Sequence, residues 1–106
     1  MASNEQHLDA LAEMFRLMGD PNRLHILLLV MERPHAVGEI AERTGLSPSL
    51  VSHNLGRLRA GRLVRSERHG KQVFYEAADA HVHSVLSDML EHVAEAERPQ
   101  HEEGTA

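Results

Sequence analysis

The residues best suited to chemistry lie in the stretch DAHVHSVLSDMLEHVAE, from Asp79 to Glu95. Asp79 and His81 stand near its start, and His92 and Glu95 near its end. Imidazole nitrogens and carboxylate oxygens suit Zn(II) and similar divalent ions. In a straight helix eleven residues make about three turns, so His81 and His92 share a face but stand ~16 Å apart along the axis. A ligand sits only about 2 Å from its ion, so the two ends of one helix cannot share one. An antiparallel second copy resolves this. It brings His92 and Glu95 of one chain beside Asp79 and His81 of the other, twice per pair. His92 and Glu95, at i and i+3, can chelate together, and so can Asp79 and His81 at a helix start. Each residue also has an ordinary reading. Asp79 is an N-cap, His81, His83 and His92 are solvated histidines in a chain with nine, and Glu95 is a surface charge.

The function classes left open are few. Without cysteine there are no disulfides, thiolate metal sites or thiol redox chemistry. Ser52 and His53 are neighbours on a helix, where adjacent side chains point about 100° apart and cannot form a nucleophile–base pair. No phosphate loop or nucleophile elbow is present, and nothing nominates the general base that a zinc hydrolase would need, so no enzyme is expected. At 3% aromatic residues, stacking on unpaired bases is not the expected binding mode. No run of about eighteen apolar residues predicts a membrane span. The opening MASNEQHLDALAEMF is acidic, unlike a signal peptide, so a cytoplasmic protein is expected.

The net charge of −5 hides a segregation. From Arg43 to Lys71, seven basic residues face Glu67 alone, a net of +6, while the rest of the chain nets −11. A basic block inside an acidic chain indicates a local polyanion-binding surface, or else the solvated face of a helix and hairpin.

The elements that would carry these residues follow from periodicity. Leu8, Leu11, Phe15 and Met18 recur at helical spacing and end at Gly19. Asp20-Pro21 is a cap with a first-turn proline. It opens a helix, NRLHILLLVMER, that is apolar almost all round and therefore central, until Pro34 stops it. A short helix from about Val37 to Thr44 ends at Gly45, which can adopt the left-handed conformation. Ser47-Pro48 opens the next helix, which runs to about Ala60. Two short helices so tightly linked form a helix-turn-helix. RLVRSERHGKQVFYEA contains two β-rich runs around a His69-Gly70 turn, hence a hairpin. The histidine-bearing helix follows. The order ααααββα describes a mainly α, winged helix-turn-helix domain over residues 1–97. The polar RPQHEEGTA, residues 98–106, is expected to be a disordered tail.

On the helix after Pro48, Val51, Leu55 and Leu58 share an inward face, while Ser49, Ser52, His53 and Gly56 occupy the other, flanked by Arg57 and Arg59. Small polar groups allow close approach to base edges in the major groove, and arginines at the rim reach phosphates. Arg65, Arg68 and Lys71 of the hairpin would extend the phosphate contact as a wing. An amphipathic helix with a merely polar outer face is the plainer reading.

LMGDPNRLHILLLV, LSPSLVSHNLGRLRAGRLVRSERHGKQVFYEA and the following helix resemble the ArsR/SmtB family of winged-helix regulators, over about Leu8 to Glu95. The resemblance implies a homodimer built by the first and last helices and bound to an operator with an imperfect inverted repeat in double-stranded DNA. Repression is the family's usual mode, relieved by an inducer that is usually a metal ion. Ser49, Ser52 and His53 match the family's base-reading positions. Asp79, His81, His92 and Glu95 match its last-helix metal pattern, Asp79 and His81 from one chain and His92 and Glu95 from the other. AVGEIAE lacks the cysteine pair of the family's other common site. Two imidazoles and two carboxylates suit Zn(II), with Ni(II) or Co(II) as the alternative. Nickel would prefer more ligands, which His7, His83 or His101 would supply. Val82, Val85, Leu86, Met89 and Val93 would form the dimer seam. A family regulator with no metal response or needing a partner protein, and a metal-binding protein without DNA binding, are the competing readings.

Overall fold

The computed structural model describes residues 4–97. The expected tail, residues 98–106 with His101, lies outside the described residues. In chain order the elements are α1 (Asn4–Met18), α2 (Pro21–Glu32), β1 (His35–Ala36), α3 (Val37–Thr44), α4 (Pro48–Ala60), β2 (Val64–His69), β3 (Gln72–Ala77) and α5 (Ala80–Glu97). This is a winged helix-turn-helix, as the periodicity predicts, with one addition. The two residues of β1 pair antiparallel with β3, His35 opposite Tyr75 and Ala36 opposite Phe74, so the wing is a three-stranded sheet in the order β1-β3-β2.

The helix starts follow from their capping residues. Asp20 takes an extended backbone before Pro21, and its Oδ2 accepts from the Arg23 amide at 3.0 Å. Ser47 does the same for α4, its Oγ accepting from the Leu50 amide at 3.1 Å ahead of Pro48. Each satisfies one of the four amides a helix start leaves unpaired, an interaction worth about 1 kcal/mol. Gly45 closes α3 at φ +79°, in the left-handed region that a side chain would disfavour. α3 is held at its start by Glu39, whose Oε1 accepts from the Ala36 amide at 3.3 Å while Oε2 meets Arg33 at 3.3 Å. That backbone hydrogen bond, reinforced by the Arg33 guanidinium, keeps the Glu39 carboxyl below the ordinary glutamate range.

α2 is the central helix, with Ile26, Leu27, Leu29 and Val30 buried. Ile40 of α3, Val51, Leu55 and Leu58 of α4, Leu63 and Val64 leading into the wing, and Leu86 of α5 complete one core with Leu17. Fully burying such a side chain contributes about 1.5–3 kcal/mol, so this cluster decides where α4 and α5 sit. Arg23 is buried beside it and its Nε donates to the Leu17 carbonyl at 2.8 Å, tying the end of α1 to the start of α2. At the exit of α4 the backbone of Gly61 lies so close to α1 that a Cβ there would overlap Leu17 Cδ1. Arg62 then turns the chain into the wing with φ +63°, a conformation costly for a non-glycine residue.

β2 and β3 pair from Val64 opposite Ala77 to His69 opposite Gln72. The turn is therefore Gly70-Lys71, one residue later than the His69-Gly70 placement expected from sequence. His35 of β1 is completely buried. Its Nδ1 lies 2.7 Å from the Arg33 carbonyl, which can only accept, so Nδ1 carries the proton. Its Nε2 is buried and has no hydrogen-bond partner among the described residues.

Candidate functional site

The core sorts α4 except at exposed Leu50 and buried Asn54. Val51, Leu55 and Leu58 have no exposed surface, and Ser49, Ser52, His53, Gly56, Arg57 and Arg59 are all exposed. The small and polar residues form a surface on which a second molecule's polar edges can approach closely. Arg57 and Arg59 stand in the last turn of the helix. Of the wing residues, Arg68 and Lys71 are exposed near the hairpin end. Arg57, Arg59, Arg68 and Lys71 take part in no ion pair among the described residues, so their charge faces outward. Arg65 differs. Its Nε meets Glu76 Oε2 at 3.0 Å across the β2–β3 pair. The charge count from Arg43 to Lys71 stops short of Glu76, so sequence distance hid this pairing. Arg65 remains largely exposed, but part of its charge is already answered within the protein.

α5 carries the other candidate residues. Asp79 caps it, with Oδ1 accepting from the Val82 amide at 3.1 Å, as its ordinary reading required. Asp79 Oδ2 takes no hydrogen bond among the described residues. His81, His83, His92 and Glu95 are all exposed. His81 also borders a hollow of about 200 Å3 between α1 and α5, whose other walls include Leu11, Phe15, Met18, Val82 and Val85. Among the described residues of one protomer, no three His, Asp or Glu side chains come together as an ion site. The structure thus places Asp79 and His81 at one end of α5 and His92 and Glu95 toward the other, and does not bring the pairs together. The donor set fits a borderline divalent ion in kind, since it offers imidazole nitrogens and carboxylate oxygens with no thiolate. It lacks, within one protomer, the convergence that a closed site needs.

The apolar surface beside these residues corrects one expectation. Leu86 does not join an outward seam; it is buried against its own protomer's core, 7% exposed. The i, i+3, i+4 pattern shows which α5 residues are apolar but cannot tell an inner face from an adjoining outer one. What stays exposed is Val85, Met89, Leu90 and Val93 on α5, with Leu8, Leu11 and Phe15 on α1. Exposed apolar side chains in this number on two helices suit an association face.

The sequence profile described as "Bacterial regulatory protein, arsR family" matches residues 20–66, from the cap of α2 into β2. The HTH-type transcriptional regulator CmtR of Mycobacterium bovis is 33% identical over 100 residues, covering 94% of this chain and 85% of CmtR. The chain belongs to the arsR family of bacterial regulatory proteins. Another relative, the HTH-type transcriptional regulator KmtR of Mycobacterium tuberculosis, is 36% identical over 78 residues, covering 74% of this chain. The matched region spans only 60% of KmtR's own length. Among solved structures, a homodimeric winged helix-turn-helix DNA-binding domain from Mycobacterium bovis superposes with a TM-score of 0.79 at 28% identity, covering 98% of this chain and 93% of that one. Membership of this family, whose relatives are transcriptional regulators, sets the enzyme reading aside. Among the described residues no helix is long and apolar enough to cross a membrane.

Proposed function

We propose that this arsR-family protein is a transcriptional regulator, acting by repression, that binds an operator with inverted half-sites in double-stranded DNA as a homodimer. We propose further that the operator is released when Zn(II), or alternatively Ni(II) or Co(II), is held by Asp79 and His81 of one protomer and His92 and Glu95 of the partner subunit. The observation that carries the DNA reading is the division of α4. Val51, Leu55 and Leu58 are wholly buried, and apart from Leu50 its exposed face is small, polar or basic. Ser49, Ser52 and His53 would meet base edges, while Arg57, Arg59, Arg65, Arg68 and Lys71 would meet phosphates. The exposed apolar residues of α1 and α5, and the homodimeric M. bovis neighbour, support the dimer.

In a dimer, the two copies of α4 must present themselves about one DNA turn apart, ~34 Å. That spacing depends on how each α5 sits against its partner. Leu86 of α5 and Leu55 and Leu58 of α4 belong to the same core, so a protomer that rotates at the seam carries its reading helix with it. A divalent ion at the shared ligands would supply a cross-link between the two last helices. Such a ligand weakens DNA binding only by favouring the DNA-incompetent arrangement, and DNA must weaken its binding by the same factor.

The test uses titration calorimetry with zinc and nickel, and DNA binding with and without metal. His81→Ala and His92→Ala should leave the metal-free protein bound to DNA and remove the metal response. A mixed dimer of Asp79→Ala/His81→Ala and His92→Ala/Glu95→Ala chains should bind one ion, because one site draws both intact pairs. Unchanged tight binding by either double-mutant homodimer would place the ion elsewhere, with His7 and His83 to be tried next. No heat with either metal would leave a family regulator that answers to something else.

A further inference from the structure

We infer that Leu50 is a specificity-determining residue that reads the C5-methyl group of a thymine in each operator half-site. This rests on the reading above that α4 enters the major groove. Among the described residues eight large hydrophobic side chains are exposed, and seven of them lie on α1 and α5, the face assigned to the dimer. The eighth is Leu50, 38% exposed, on α4. No seam between first and last helices accounts for it.

Its position on α4 suits a base contact. Leu50 is the third residue of the helix, after Pro48 and Ser49, and in helix-turn-helix proteins the N-terminal residues of the second helix contact base edges. Its amide is fixed by the Ser47 cap, so this turn of backbone is held in place. Well over half of the residue is covered by its own protomer, which limits the freedom that would be lost on binding. Leu50 lies at i−3 from His53 and i−7 from Arg57, where the exposed face of α4 borders the buried one.

The chemistry of the groove names the ligand. Base edges in the major groove present donors, acceptors and one apolar group, the thymine methyl. An apolar side chain set among polar readers gains nothing from the donors and acceptors, and loses hydration when placed against them. Serine hydroxyls accept or donate and so discriminate weakly between bases. Leu50 would add what Ser49 and Ser52 lack, a preference for T over C at one step.

The experiment selects the preferred duplex from a randomised library with the wild-type protein. Each thymine of one half-site is then replaced by uracil, which removes only the methyl group, and binding is measured by fluorescence anisotropy at fixed salt. At one thymine, the replacement should weaken wild-type binding about three- to fivefold, the scale of one buried methyl group. Leu50→Ala should bind the thymine and uracil duplexes equally at that position. Ser52→Ala should keep the wild-type sensitivity there. Circular dichroism would verify that Leu50→Ala keeps its helices. The inference is overturned if no thymine is methyl-sensitive, or if Leu50→Ala retains the sensitivity. If the wild-type protein selects no duplex at all, the groove-reading role of α4 fails as well, a result separable from the first two.

Discussion

Met89→Glu is the perturbation that tests the proposed dimer face most directly. Met89 is 54% exposed in the protomer, so the change removes little from the protomer's own packing and the monomer should fold. Seven apolar side chains on α1 and α5, including Met89, keep between 44% and 59% of their surface in water. Fully burying such a side chain is worth about 1.5–3 kcal/mol, so covering the remaining half gives roughly 1 kcal/mol each. Counted over both protomers this is on the order of 14 kcal/mol, which must exceed an association cost estimated at about 4–15 kcal/mol. The margin is small, and a twofold seam imposes any substitution twice. Each glutamate would lose about 1 kcal/mol of burial and add a desolvation penalty of several kcal/mol. Even at about 2 kcal/mol per protomer, the dimer dissociation constant should rise by roughly a thousandfold. Sedimentation equilibrium of wild type, Met89→Leu and Met89→Glu measures this directly, with circular dichroism as the check on folding. Full-operator binding should fall with dimerisation, because a monomer engages one half-site only. A folded Met89→Glu protein that dimerises within tenfold of wild type would refute the placement of the seam on this face.

Other outcomes follow from single contacts. Arg68→Ala should weaken binding to specific and random DNA alike and reduce the salt dependence by about one unit of slope. Arg65→Ala should do less in the same salt titration, because Glu76 already engages Arg65. Gly61→Ala should destabilise the fold by about 1 kcal/mol in a urea titration, since its Cβ must push the end of the Leu17 side chain aside. Glu39→Gln should flatten the acid limb of the stability curve. The folded protein holds the Glu39 carboxyl below its ordinary value, so folded chains bind fewer protons than unfolded ones through the range below about pH 4.3. Wild type therefore loses stability as pH falls through that range, and denaturation profiles of the variant should show a smaller loss.

The architecture was legible because its signals are local. Asp20-Pro21 and Ser47-Pro48 open helices where expected, and Gly45 closes α3 with positive φ. Val51, Leu55 and Leu58 face the core as their spacing requires. β1 escaped notice because two residues have no periodicity, and their partners, Phe74 and Tyr75, lie far along the chain. The charge block was visible as composition, whereas the Arg65–Glu76 pair depends on strand register. Leu86 shares its spacing with the exposed apolar residues of α5, and only the direction from which the core approaches separates them. Leu50 has an apolar identity in an otherwise correct helix pattern, so its exposure is a fact of packing that no sequence periodicity announces. For the proposed ligand pairs of α5, the sequence supplied residue types and spacing, and the described residues of one protomer do not bring them together.

The two-residue strand β1 also bears on how such a protein diversifies. The chain leaves the ladder at Ala36 and regains it at Phe74, opposite the point of departure. Everything between, including both helices of the helix-turn-helix, is an excursion whose ends are clasped to one another. Within it, the residues of α4 that hold the excursion to the core are Val51, Leu55 and Leu58, and those that face outward hold nothing in place. Inherited changes at Ser49, Ser52, His53 or Gly56 can therefore alter the outward surface at little expense to the frame. If α4 reads DNA as proposed, a lineage can acquire a new target by drift at a few exposed positions, because selection for folding acts on a different set of residues.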